Sequence, residues 1–111
     1  MKGQIRKMGA LLLLSALGAW LSAPTRADDG AATFKSKCTA CHGADGSGNT
    51  AVGKSLKIPD LSSADVQKQT DEQLTGVITN GKGAMPAYKD KMTADQIKEL
   101  VAFIRQLAKK G

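Results

Sequence analysis

The chain has 111 residues, 41% hydrophobic and 4% aromatic, with 16 basic residues against 10 acidic ones and a formal charge of +6. That length fits one small domain and excludes multi-domain and fibrous architectures. The basic excess points toward nucleic acid only if it belongs to the folded part of the chain, and its distribution assigns much of it elsewhere.

Lys2, Arg6 and Lys7 open the sequence without an acid among the first nine residues, and Ala10 to Leu21 is apolar apart from Ser15. Ser22-Ala23-Pro24-Thr25-Arg26-Ala27 follows, with small residues, Thr25 and Ala27, where a signal peptidase reads. Residues 1–27 are therefore expected to be a cleaved secretory leader. Lys7 after Arg6, instead of a second arginine, favours the general secretory route. A stretch of about a dozen apolar residues falls short of the roughly 20 that span a bilayer, so no stable membrane insertion is expected. In residues 28–111, 12 basic residues face all 10 acids, which removes the electrostatic footprint for nucleic acid. Those 84 residues are few enough to need a disulfide, a metal or a cofactor as a staple.

Asp28 and Asp29 are read as caps of a first helix running to about Cys41, with Ala31, Phe34 and Cys38 on one face. Both cysteines and the single histidine of the chain fall in Cys38-Thr39-Ala40-Cys41-His42. C-x-x-C-H is the attachment signature of c-type haem. On a helical turn two thiols three residues apart share a face and can add to the two vinyl groups of one porphyrin, and the next residue offers an imidazole to the iron. A disulfide over so short a loop would restrain almost nothing. Zinc would need two further ligands from a chain with no other cysteine or histidine. A dithiol redox pair would need a βαβ setting that the flanking segments do not offer, and it stays as a minor alternative.

Gly43, Gly46, Gly48 and Gly53 lack both the preceding strand and the Gly-Lys-Ser/Thr order of a phosphate loop. A calcium loop starting at Asp45 would place Leu56 where a bidentate glutamate is required. A tight Ω-like loop is the better reading. Pro59, in Ile58-Pro59-Asp60-Leu61, sets an extended backbone. Ser62-x-x-Asp65 and Thr70-x-x-Gln73 resemble helix caps, the second leading into Leu74, Val77 and Ile78, with Asn80-Gly81 as a stop. Thr93-x-x-Gln96 opens a last helix whose Ile97, Leu100, Val101, Ile104 and Leu107 recur at helical spacing, with Phe103 beside them. Lys109 and Lys110 suit its negative end.

Between the last two helices, Gly81-Lys82-Gly83-Ala84-Met85-Pro86 makes a non-helical loop. With no second histidine, the soft candidates for a further axial donor are the thioethers of Met85 and Met92. Met85, in a loop able to approach a flat macrocycle, is the better candidate, and Met92, just before a helix, reads as packing. An open sixth position, as in a haem sensor or enzyme, is the alternative.

In this order of motifs the chain resembles the class I c-type cytochromes over nearly all of residues 28–111. The resemblance rests on Phe34, Cys38-Thr39-Ala40-Cys41-His42-Gly43, Ile58-Pro59-Asp60-Leu61, Gly81-Lys82-Gly83-Ala84-Met85-Pro86 and a terminal helix with Phe103. It implies an all-α fold of three to four helices wrapped around one haem, held by thioethers at Cys38 and Cys41, with His42 and Met85 as axial ligands of the iron. It also implies one-electron transfer between donor and acceptor redox proteins, with no enzymatic activity. The Pro59 carbonyl would accept a hydrogen bond from the His42 ring nitrogen that does not face iron. Tyr88 would touch the haem or cover the core edge. The expected molecule is a monomer, periplasmic or secreted, and Lys54, Lys57, Lys82, Lys89 and Lys91 could meet an acidic partner surface.

Overall fold

The threonine caps read from the sequence start the helices they announce. Thr70 Oγ1 accepts the Gln73 backbone N–H at 3.1 Å while Gln73 Oε1 accepts the Thr70 N–H at 2.9 Å, and Thr93 with Gln96 repeats both bonds at the same distances. The computed structural model describes residues 26–110. Its helices are α1 (Arg26–Lys37), α2 (Thr39–His42), α3 (Ala51–Leu56), α4 (Ala64–Gln67), α5 (Asp71–Asn80) and α6 (Ala94–Leu107), with a closing 3-10 turn at Ala108–Lys110. Strand-like pairing among these residues is limited to one isolated bridge between Lys82 and Met85. The all-α expectation holds. The expected leader lies outside the described residues except for Arg26 and Ala27, which belong to the first turn of α1.

Local details differ from the sequence reading, each for an identifiable reason. Asp28 and Asp29 lie within the first turn of α1 and do not cap it. Cys38, at φ −117°, separates α1 from α2, so the first helix stops four residues short of Cys41. The cap of α4 is Ser63, whose side chain accepts the Val66 N–H; Ser62 is instead held by Asp60 Oδ1 through its N–H at 2.9 Å and its hydroxyl at 2.7 Å. α3 was not expected at all. It forms because Thr50 Oγ1 accepts the Gly53 N–H at 2.8 Å, a cap without the acidic or amide partner that marks a capping box in sequence. Six helices are therefore described where three to four were expected, the extra ones being short.

α1 crosses α6, and their contact is the most extensive between any two elements. Gly30 makes the approach possible, since a Cβ there would collide with the Glu99 carbonyl and come within 3.0 Å of Phe103 Cβ. Phe34 and Phe103 stack at the crossing, centroids 5.0 Å apart and tilted by 46°. Ile97, Leu100, Val101, Ile104 and Leu107 are buried along α6 and share one cluster with Phe34 and Phe103, with Leu74 and Ile78 of α5, and with Leu61, Val66 and Met92. Among the described residues no helix is long and apolar enough to cross a membrane.

Candidate functional site

A cavity of about 420 Å³ opens between α1, α5, α6 and the loops around them. Phe34, Leu74, Ile78, Leu100 and Ile104 give it an apolar wall, and Cys38, Cys41, His42 and Met85 all line it. Two thiols, an imidazole and a thioether from segments more than 40 residues apart thus face one space of cofactor size.

Helical bonding places the first three. The Cys38 carbonyl accepts the N–H of Cys41 at 3.3 Å and of His42 at 2.9 Å, so the chain keeps turning after the break at Cys38. The following loop then clamps this turn. Gly48 N–H donates to the His42 carbonyl at 2.7 Å, and the Thr50 hydroxyl donates to the Cys41 carbonyl at 2.7 Å while capping α3. Gly48 and Gly53 permit backbones to pass closely, as a Cβ on Gly53 would meet the carbonyls of both Gly48 and Cys41. Asp45 accepts the Ser47 N–H at 3.0 Å, which gives it a turn-forming role, and hydrogen bonding from the Ser47 side chain first and from this N–H second lowers its carboxyl pKa. Among the described residues no three His, Cys, Asp or Glu side chains are arranged to hold a bare metal ion.

His42 is half-buried beside Phe34, ring centroids 6.1 Å apart. Burial lowers its pKa, which keeps the imidazole neutral with a free lone pair. Its Nδ1 is buried and has no hydrogen-bond partner. The bond expected from the resemblance between this ring and the Pro59 carbonyl is therefore not made through Nδ1, although Pro59 lines the same cavity. Burial also pushes the Cys38 thiol up to about 11, a rise that the neighbouring positive charge of Lys37 only partly opposes. Such a thiol is a poor redox nucleophile, which counts against the dithiol alternative.

Met85 is positioned by a tight hairpin. Lys82 and Met85 exchange backbone hydrogen bonds at 3.1 and 3.0 Å around Gly83, and Gly81 before them stands at φ +78°. Met85 is half-buried and packs on the core. Met92 is fully in that core, as its packing reading expects, and also reaches the cavity wall. Tyr88 ties the hairpin to the cysteine segment: its N–H donates to the Ile78 carbonyl at 3.0 Å and its hydroxyl makes a long hydrogen bond to the Lys37 carbonyl, 3.4 Å. Sequence reasoning missed Thr50 and the α3 segment, whose Leu56 and flanking Ile58 line the cavity. The Thr50-to-Gly53 spacing was the available signal.

The residues present fit a covalent haem. Two adjacent thiols, a neutral imidazole with an orphaned buried nitrogen, an apolar wall and a thioether supply what attachment, ligation and burial of a porphyrin require.

Comparison with known proteins points the same way. The family model described as cytochrome c oxidase, cbb3-type, subunit III matches residues 25–104. Cytochrome c6 of Leptolyngbya boryana is 39% identical over 82 residues, covering 74% of this chain and 93% of its own length. Cytochrome c6 of Gloeothece citriformis is 33% identical over 97 residues, 83% of each chain. The cbb3-type cytochrome c oxidase subunit FixP of Rhizobium meliloti is 34% identical over 88 residues, 78% of this chain but 29% of that protein. Among solved structures, the KustC0563 c-type cytochrome superposes with a TM-score of 0.65 at 33% identity, over 71% of this chain and 96% of that one.

Proposed function

We infer, for a chain that belongs to the class I c-type cytochromes, that His42 and Met85 are the axial ligands of its iron and that it works as an exported carrier between redox proteins. Covalently bound haem c is its cofactor, and electron transfer rather than enzymatic turnover is its activity. The haem supplies the one-electron couple, and everything else falls to the chain. Cys38 and Cys41 would tether the group, the apolar wall would exclude water, and a neutral imidazole together with a soft thioether as donors would favour the reduced state and raise the potential.

One observation carries the ligand assignment: His42 and Met85, 43 positions apart, line the same cavity as both thiols. Two axial donors leave no position for a substrate, in keeping with a carrier. Residues 1–27 serve as the leader in this reading and residues 28–111 as the haem domain. Lys54, Lys57, Lys82, Lys89 and Lys91 are all exposed, which suits weak, steered contact with acidic partner surfaces.

Visible spectra of the exported protein test this reading. Colour that stays with the polypeptide through denaturation and acid-acetone extraction is expected for thioethers at Cys38 and Cys41. Met85→Ala should keep that colour and lose the far-red methionine-to-iron band, whereas Met92→Leu should retain the band. A far-red band that survives Met85→Ala would refute the ligand assignment. Electron-transfer rates that ignore ionic strength would refute the charged docking surface.

A further inference from the structure

A helix as short as α2 leaves its last carbonyls without partners of its own, and two of these flank the imidazole in the chain. The Cys41 carbonyl stands just before His42, and the His42 carbonyl just after its side chain. Both are taken by the loop that follows. The Thr50 hydroxyl donates to the Cys41 carbonyl and the Gly48 N–H to the His42 carbonyl, each at 2.7 Å, while the His42 N–H donates to the Cys38 carbonyl at 2.9 Å.

The ring has no such tether through Nδ1, which is buried without a hydrogen-bond partner, and the Phe34 ring beside it is tilted by 44° at 6.1 Å. Its direction is therefore set from the backbone that carries it. Of the two donors in the loop, Gly48 uses its main chain, as almost any residue could. Thr50 uses its side chain, and one oxygen does two things: it accepts the Gly53 N–H at 2.8 Å, which starts α3, and it gives its own proton to the Cys41 carbonyl. The first bond is an ordinary helix cap, and the second is not needed for capping.

We propose that Thr50 is a positioning residue for His42: its hydroxyl, through the Cys41 carbonyl, fixes the peptide plane that carries the imidazole and so the direction of that ring in the cavity. The proposal rests on His42 being an axial ligand. It gives the start of α3 a part in holding that donor in one direction, as outer partners of a ligand do.

The two bonds of Thr50 can be separated by substitution. Thr50→Asp keeps an acceptor for the Gly53 N–H and has no proton to donate at neutral pH, Thr50→Val loses both bonds, and Thr50→Ser keeps both. In oxidised, haem-loaded protein the hyperfine-shifted nitrogen-15 signals of labelled histidine belong to one residue, since the chain has a single histidine. Thr50→Asp and Thr50→Val are expected to move these signals and the EPR g-values, and Thr50→Ser to hold both at the parent positions. Thr93→Val, which removes a threonine cap from α6, should lower the melting temperature and leave the signals in place. Parent-like signals in Thr50→Asp, or signals moved as far by Thr50→Ser as by Thr50→Val, overturn the proposal. Haem lost from Thr50→Asp while Thr50→Ser stays coloured would assign the bond to attachment and overturn it as well. A coloured parent without hyperfine-shifted histidine signals would overturn the ligand reading itself.

Discussion

Gly81 shows how one position can govern the placement of Met85. At φ +78° it sits where side chains are strained, and a Cβ would come within 2.7 Å of the Met85 carbonyl and 3.0 Å of Ala87 N. Gly81→Ala is expected to cost about 1–3 kcal/mol through overpacking and strain. Because the collision is with the backbone of Met85, it should also weaken the far-red band, and a lowered melting temperature with an intact band would separate the two effects. Gly76 behaves oppositely. It lies inside α5 with nothing within 4 Å of its missing Cβ, and nothing in the structure explains a glycine there. Gly76→Ala should raise stability by about 0.5–1 kcal/mol, measured by thermal unfolding. That Cys38, Cys41, His42 and Met85 belong together at one cavity was legible in the sequence, because C-x-x-C-H and a methionine in a glycine-rich loop are local patterns. The left-handed backbone of Lys57, at φ 56°, was not, because nothing in Leu56-Lys57-Ile58 announces a positive φ.

Arg105 joins elements that the sequence keeps 34 to 38 residues apart. From the last turn of α6 it donates to the Gln67 carbonyl at 2.9 Å, the Gln69 carbonyl at 2.6 Å and the Asp71 carboxylate at 2.9 and 3.1 Å. Gln67 adds a second link, its side-chain nitrogen donating to the carbonyls of Leu61 and Ile104. Together they hold the segment from Leu61 to Gln69, part of the cavity wall, against α6. Hydrogen bonds to a charged group are worth roughly 1.5–3 kcal/mol each when well made, but the Asp71 partner is largely exposed. Arg105→Met should therefore cost about 2–3 kcal/mol in chemical unfolding, mostly through the orphaned carbonyls. At this scale the sequence was half legible. Period and caps marked α5 and α6, whereas α3 and α4 depend on lone threonine and serine caps, and the Arg105 network is long-range and leaves no local trace.

For the whole molecule, the cavity sits where a larger chain would place more side chains. A domain of this size buries a limited share of its surface, and a porphyrin in the cavity adds apolar area at roughly 25 cal/mol per Å². The haem-free chain is accordingly expected to lose most of its helicity, read by far-ultraviolet circular dichroism beside the haem-loaded form; near-native helicity without haem would contradict this. Gly30→Ala tests the other support of the fold. A Cβ driven into the Glu99 carbonyl should cost about 1–3 kcal/mol and lower the melting temperature without altering the ligand bands. The fold class was legible from the motif order, and the closeness of the α1–α6 crossing was not, because Gly30 in a short helix reads as a weak helix former rather than as a contact.

That crossing also sets an order of events. The cysteines follow directly on α1, yet α1 is covered by α6, the last long helix among the described residues. Until residues 94–107 have been made and docked, the core beside Cys38 stays open. A haem-free chain that keeps little of its helicity therefore leaves both thiols within reach for as long as α6 has not docked. Closure by the final helix then follows attachment and turns an accessible site into an enclosed one.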